Sequence, residues 1–148
     1  MKIFSAAFAD QETIPVKYTA QGEELSPPLR WQEVPEGTRS LALVCEDPDA
    51  PGGTYDHWIL YNIPPSVGVL PEGLKEELPH DIQSLLTSGG VRGYEKPNPP
   101  SGEHRYFFIL YALDTVLQLP DNATKADLLK AMESHILAQA TLVGRYKR

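Results

Sequence analysis

Cysteine is almost absent from this sequence of 148 residues, which contains only Cys45. One thiol cannot form a disulfide within the chain, so the cysteine content does not require an oxidising compartment. Cys45 ends the apolar segment 41–45. Free cysteine is among the most often buried residue types, whereas a reactive thiol needs an exposed, electropositive setting. We therefore expect Cys45 to be a buried core residue and not a catalytic thiol.

Basic residues and long apolar segments are also scarce. The 13 Lys and Arg residues are outnumbered by 20 Asp and Glu residues, which gives a formal net charge of −7. This balance argues against nucleic acid as a partner, because binding to a phosphate backbone depends on Lys and Arg. No apolar segment approaches the roughly 20 residues of a membrane span, and the apolar N-terminal stretch is too short for the core of a signal peptide. We expect a cytoplasmic protein without a membrane span.

Several motifs of enzymes and cofactor sites are missing as well. The sequence has no Gly-x-Ser-x-Gly nucleophile motif, no Gly-x-Gly-x-x-Gly dinucleotide motif and no phosphate-binding loop. It also lacks the His-x-His and His-x-x-x-His spacings that hold metal ions on one strand or helix. The sequence therefore predicts no cofactor and gives no positive sign of an enzyme.

Proline, by contrast, is abundant, with 14 prolines beside 11 glycines. Proline breaks helix interiors, so most of the chain cannot form a helical bundle. Apolar and β-branched residues instead predict strands at 40–46, 57–63, 104–113 and 140–146. We expect short extended pieces within 1–20, and one short helical turn at 82–86 inside the long Pro- and Gly-rich connection 64–103.

One helix is predicted near the C-terminus. Thr124 with Asp127 three residues later is a variant of the capping box. An apolar stripe with a spacing of four residues follows, formed by Leu128, Met132 and Ile136. The whole pattern predicts a single domain, residues 1–148, that is mostly β: an antiparallel β-sandwich with a short C-terminal helix and a few other short helices.

Polar side chains lie near the ends of the predicted strands, namely Asp47, His57, His104 and Tyr106. Residues two apart in a strand share a face, so His104 and Tyr106 point one way and Arg105 points the other way. If the strands are neighbours, the four side chains meet at one rim. Two imidazoles and a phenol can donate hydrogen bonds to a phosphate or carboxylate. Asp47 would accept from an imidazole N–H and orient that ring, and Asp49 is expected to cap the turn that follows.

Three functions are compatible with these side chains. The first is a non-catalytic binding protein for a small anionic ligand. The second is a hydrolytic enzyme in which His57 or His104 is the general base and the other an oxyanion donor, although the sequence offers no nucleophile. The third is a metal site made of Asp47, His57 and His104, for which the ligand spacing gives no support.

Segments 43–51, 57–58 and 99–106 resemble the two signature regions of the phosphatidylethanolamine-binding protein family. The chain is most similar to the bacterial and archaeal branch, often called Raf kinase inhibitor-like. The resemblance implies an antiparallel β-sandwich with a short C-terminal helical element, and a small cavity near the surface that binds phosphate, acetate or a phospholipid headgroup. It also implies a non-catalytic regulatory role, a protein partner such as a kinase, and a homodimer.

The resemblance assigns six residues to that cavity. These ligand-binding residues are Asp47, Pro51, His57, Pro100, His104 and Tyr106. One segment departs from the pattern of the bacterial branch: Thr87 and Ser88 stand where that branch has an Asn-Asp pair, and residues 95–98 replace a glycine-rich segment. Because this segment flanks the cavity, the size and charge of the ligand can differ from the family norm.

Overall fold

The structure, a computed structural model, describes residues 1–75 and 77–148. Its strands are β1 (Lys2–Phe4), β2 (Leu29–Gln32), β3 (Ser40–Asp47), β4 (Tyr55–Ile63), β5 (Val69–Leu70), β6 (Gln83–Ser84), β7 (Glu103–Leu113) and β8 (Ile136–Lys147). They form two antiparallel sheets, with the orders β1-β2-β5 and β6-β4-β3-β7-β8. One α-helix, α1 (Lys125–Met132), precedes β8. The predicted fold class, mostly β with antiparallel sheets and a short late helix, is confirmed.

Strand β3 shows why the central strands are continuously apolar. Its residues Leu41, Leu43 and Cys45 belong to the core that joins the two sheets. The alternating residues Ala42 and Val44 belong to a second core, on the other face of the larger sheet. Cys45 is only 1% exposed, and burial raises the pKa of its thiol, so the expectation that it is a buried residue is confirmed.

Helix α1 covers this second face. Thr124 caps the helix: its hydroxyl accepts the N–H of Asp127, and the Asp127 carboxylate accepts the N–H of Thr124. The predicted capping box is therefore confirmed. Leu128 and Met132 are fully buried in the second core. Within the described residues, no helix combines the length and the apolar composition needed to cross a membrane.

The prediction that Ile136 continues the helical stripe is wrong. The helix ends at Met132, and Ser134 has a φ of 69°, a left-handed conformation that turns the chain out of the helix. Ile136 opens β8 and is 43% exposed. The closing strand predicted at 140–146 therefore exists, but it begins four residues earlier.

The prediction for residues 82–86 is also wrong. Instead of a helical turn at 82–86, a short turn occupies Pro79–Asp81, in which His80 and Asp81 have left-handed φ values of 57° and 59°. The chain then pairs with β4 as strand β6. In the segment 1–20, short extended pieces are found as predicted at Lys2–Phe4, which forms a strand, and at Thr13, which bridges Arg145, whereas Val16–Tyr18 forms a 3₁₀ turn directly after Pro15.

Candidate functional site

A cavity of about 270 Å³ lies where β3 ends and β7 begins. It is lined by Asp47, Ala50, Pro51, Tyr55, His57, Glu95, Lys96, Asn98, Pro99, Pro100, His104 and Tyr106. The structure thus brings together all six residues that the sequence assigned to a cavity. Their role in binding a ligand stays a prediction.

The strands place these side chains by their two-residue repeat. His104 and Tyr106 are buried on one face of β7, and Arg105 between them is exposed on the other face. The Asp49 carboxylate accepts from the Arg105 backbone N–H at 3.0 Å, from Nε at 2.9 Å and from Nη2 at 2.8 Å. The prediction that Asp49 caps the turn after β3 is therefore wrong. The Asp47 carboxylate caps this turn, because its Oδ1 accepts the Asp49 N–H at 2.8 Å.

Asp47 and His104 form a buried pair. The Asp47 Oδ2 lies 2.6 Å from the His104 Nδ1, and the two residues are 3% and 6% exposed. An ionised carboxylate can only accept, so the proton of this hydrogen bond comes from Nδ1. Asp47 thereby fixes both the orientation of the ring and the position of its proton, and Nε2 is the ring atom that is left for a ligand.

His57 is held by the main chain of Glu95 on both sides. Its Nδ1 donates to the Glu95 carbonyl at 2.6 Å, and the Glu95 N–H donates to the His57 carbonyl at 2.8 Å. Burial lowers the pKa of His57, although the Glu95 carbonyl and nearby carboxylates oppose this shift. The sequence predicted two donating imidazoles. In its neutral form, His57 instead offers a lone pair at Nε2, because its only proton is engaged at Nδ1.

Tyr106 brings a hydroxyl to the same cavity. Its ring meets the His57 ring edge-on, with centroids 5.2 Å apart, and burial raises the pKa of the phenol, which therefore stays protonated. The Tyr106 hydroxyl makes no hydrogen bond to any described residue, yet the described residues contain no buried side-chain N or O atom that lacks a partner. The hydroxyl must therefore be accessible from the cavity, and the same reasoning applies to Nε2 of His57 and of His104.

The sequence did not point to the cluster that closes one side of the cavity. The Glu95 carboxylate accepts the hydroxyl protons of Tyr55 and Thr87, and the N–H of Gly89 at 3.2 Å. Thr87 and Glu95 belong to the segment for which the sequence predicts a departure from the family pattern, and a hydrogen bond links the two side chains. The unusual sequence of that segment was the only sign of the cluster. The three donors lie on strand β4 and on the loop, and no sequence period relates their positions.

The described residues do not support the metal alternative. Among them, no group of three His, Cys, Asp or Glu side chains is arranged to hold a metal ion. Asp47 and His104 bond each other through Oδ2 and Nδ1, and the His57 Nδ1 bonds a carbonyl. No serine, threonine or cysteine is among the described residues that line the cavity.

Comparisons with known proteins agree with this fold. The sequence model of the phosphatidylethanolamine-binding protein family matches residues 4–147. A UPF0098 protein of Methanothermobacter thermautotrophicus is 49% identical over 150 residues, which cover 100% of this chain and 99% of the relative. A crystal structure of a phosphatidylethanolamine-binding protein homolog from Chlamydia trachomatis has a TM-score of 0.93 and 42% identity, covering 99% of this chain and 97% of that one. The E. coli protein YbcL gives a TM-score of 0.91 at 29% identity, covering 99% and 98%. The chain belongs to the phosphatidylethanolamine-binding protein family.

Proposed function

We propose that this protein is a non-catalytic binding and regulatory protein that holds the anionic group of a small ligand in its cavity. The anionic group would be a phosphate, a carboxylate or a phosphorylated headgroup. A volume of about 270 Å³ suits a group of this size, since pockets for drug-sized ligands begin at about 300 Å³.

The observation that supports this proposal most directly is the Tyr106 hydroxyl. It belongs to a side chain that is 1% exposed, it has no hydrogen-bond partner among the described residues, and it reaches the cavity. A phenol that stays protonated is a donor at every physiological pH. A ligand oxygen is the partner that such a donor accepts best, especially when the oxygen is charged.

The charges around the cavity are compatible with an anion. Lys96 belongs to the lining and brings a positive charge near the cavity, although its ammonium group lies 3.7 Å from the Glu24 carboxylate. The two carboxylates of the lining, Asp47 and Glu95, already accept hydrogen bonds from protein donors. These bonds spread their negative charge onto neighbouring dipoles, which weakens their repulsion of an incoming anion.

The test is calorimetric titration of phosphate and phosphoethanolamine, at about pH 5.5 and about pH 8 to span the usual histidine range. Tyr106→Phe removes only the hydroxyl and should weaken binding roughly tenfold or more, since a hydrogen bond to a charged group contributes about 1.5–3 kcal/mol. Tyr111→Phe is the matched control, because Tyr111 lies in the second core on the opposite face of the sheet. His57→Ala and His104→Ala should also weaken binding.

Binding that survives all three cavity substitutions would mean that the site lies elsewhere on the protein. Absence of binding of either ligand at both pH values would contradict the proposed function and leave the family assignment untouched.

One observation favours a second candidate, a hydrolase with His57 as general base. The neutral ring offers a lone pair at Nε2, which is the form that a base needs. Water would be the nucleophile. Screening generic phosphate and carboxylic esters tests this candidate, which requires turnover in the wild type and its loss in His57→Ala. A kinase as partner and a homodimer stay predictions from the family resemblance.

A further inference from the structure

Glu95 contacts His57 in a way that links a loop to the chemistry of the cavity. Its N–H and its carbonyl both bond His57, at 2.8 Å and 2.6 Å. Its carboxylate accepts from Tyr55, Thr87 and Gly89. The side chain therefore anchors the residue, and the main chain of the same residue holds the imidazole.

This anchor is closely packed. A Cβ atom added at Gly89 would lie 2.5 Å from the Tyr55 hydroxyl and 2.5 Å from a Glu95 carboxylate oxygen, so a side chain there would displace both groups. Tyr55 stays a donor to Glu95, because burial and the neighbouring carboxylate raise the pKa of its phenol to about 12. The cluster is thus held together by donors that do not ionise near neutral pH.

The anchored carbonyl determines which tautomer His57 adopts. A carbonyl oxygen has lone pairs and no proton, so the His57 Nδ1 must carry the hydrogen of this bond. In the neutral ring, Nε2 then has a lone pair and accepts. The charged or titratable groups near His57 come from every neighbouring element. Tyr55 and Tyr106 contact its ring, Glu95 bonds it, Asp47 and Asp56 act on its pKa, and Lys96 and His104 line the same cavity.

We propose that Glu95 is a positioning residue that makes the cavity selective for oxyacid ligands that still carry a proton, such as hydrogen phosphate, over fully ionised ones. This inference rests on the proposed anion-binding function. A ligand hydroxyl donates to the His57 Nε2, while another ligand oxygen accepts from the Tyr106 hydroxyl. A fully ionised oxyanion would place one of its oxygens, an acceptor, against the lone pair of the His57 Nε2. A site built to accept a ligand hydrogen bond discriminates against a ligand that has no proton to donate.

Inorganic phosphate and sulfate are the two probes. At about pH 7.5 hydrogen phosphate and sulfate have nearly the same shape and charge, but only phosphate has a proton to donate. Wild-type protein should bind phosphate at least about tenfold more tightly than sulfate, because sulfate leaves a lone pair unpaired. The ratio should fall as the pH is lowered and His57 becomes protonated, because the protonated ring donates from Nε2 to either anion.

The tautomer of His57 can be measured separately from ligand binding. Long-range ¹H–¹⁵N spectra of the imidazole distinguish protonation at Nδ1 from protonation at Nε2, and wild-type His57 should carry its proton at Nδ1. Glu95→Ala should lower the ratio of phosphate affinity to sulfate affinity at least about threefold, because the loss of the hydrogen bonds that hold Glu95 has an effect of this order. The same variant should show both tautomers of His57. Glu95→Gln keeps an acceptor oxygen and should restore most of the ratio.

Two further variants separate this role from a structural or purely electrostatic one. Gly89→Ala displaces the Glu95 carboxylate and the Tyr55 hydroxyl while the Glu95 residue itself is kept, and should lower the ratio in the same direction as Glu95→Ala. Lys96→Met removes a neighbouring charge and should weaken both dianions by the same factor, leaving the ratio unchanged.

The anion affinities and the His57 tautomer can both be measured in the wild-type protein, so the inference can be tested even where a variant does not fold. Equal affinity for phosphate and sulfate at about pH 7.5, or a His57 proton at Nε2, would overturn this inference alone. Failure of both anions to bind at any pH would overturn the proposed function and this inference together.

Discussion

Asp47 should be the residue whose replacement shows most clearly how the cavity is held together. Its carboxylate accepts two hydrogen bonds, from the His104 Nδ1 at 2.6 Å and from the Asp49 N–H at 2.8 Å. Asp47→Asn preserves the shape and an acceptor for Asp49, but its amide N–H₂ opposes the donor of His104. One hydrogen bond to a charged group is lost, which should lower the free energy of unfolding by about 1.5–3 kcal/mol.

Asp47→Ala removes both acceptors and should cost about 3–5 kcal/mol, because it leaves a buried partner without its counterpart. The measurement is urea unfolding at neutral pH, with Asp121→Asn as a control. Asp121 is exposed, so its substitution should change stability by less than about 0.5 kcal/mol. The variant His104→Gln completes a double-mutant cycle with Asp47→Asn, and their interaction energy should be at least about 1 kcal/mol.

The reasoning would be refuted by a small effect. If Asp47→Asn stayed within about 0.5 kcal/mol of the wild type and the cycle gave no coupling, the pair would contribute nothing to stability. A large effect of Asp47→Asn without coupling to His104 would instead assign the stabilisation to the turn that Asp47 caps.

Three other substitutions test separate parts of the fold. Arg105 holds the pKa of Asp49 down to about 2, so the native carboxylate is deprotonated more easily than the unfolded one. Asp49→Asn should therefore cost up to about 1 kcal/mol above about pH 5, and this difference should vanish in urea titrations as the pH falls towards about 2. Leu128→Ala empties a fully buried position and should cost about 2–5 kcal/mol in unfolding free energy, whereas the same change at Leu129, which is 39% exposed, should cost under about 1 kcal/mol. Thr124→Ala removes the helix cap and should lower the melting temperature by the equivalent of about 1 kcal/mol; no change would mean that tertiary packing alone fixes the start of α1.

The sequence predicted those parts of the site that depend on strand periodicity. The two-residue repeat places His104 and Tyr106 on one face of β7, and the apolar run of β3 predicts a strand covered on both sides. Helix α1 was predicted from its cap and stripe, but its end was not. The spacing of Ile136 fits the stripe, and no glycine or proline marks the turn that Ser134 makes in the left-handed conformation.

The Glu95 cluster could not be predicted in the same way. Its contacts depend on the path of the long connection 64–103, which is fixed by non-local bonds such as the one from the Asp56 N–H to the Ser88 hydroxyl. Neither periodicity nor a motif encodes such bonds. The sequence could only predict that Thr87 and residues 95–98 differ from the family pattern, and the structure shows that the side chains of Thr87 and Glu95 bond each other.

Some polar groups of the cavity are hydrogen-bonded to other residues of the protein, and others are not. Asp47 and the Glu95 carbonyl bond other residues of the chain, so replacing Asp47 should lower stability as well as binding. The Tyr106 hydroxyl has no such partner among the described residues, so its removal should lower binding and leave the free energy of unfolding within about 0.5 kcal/mol. A scaffold that fixes the imidazoles while leaving one donor open is preorganised, because the binding of an anion then requires little further ordering of side chains.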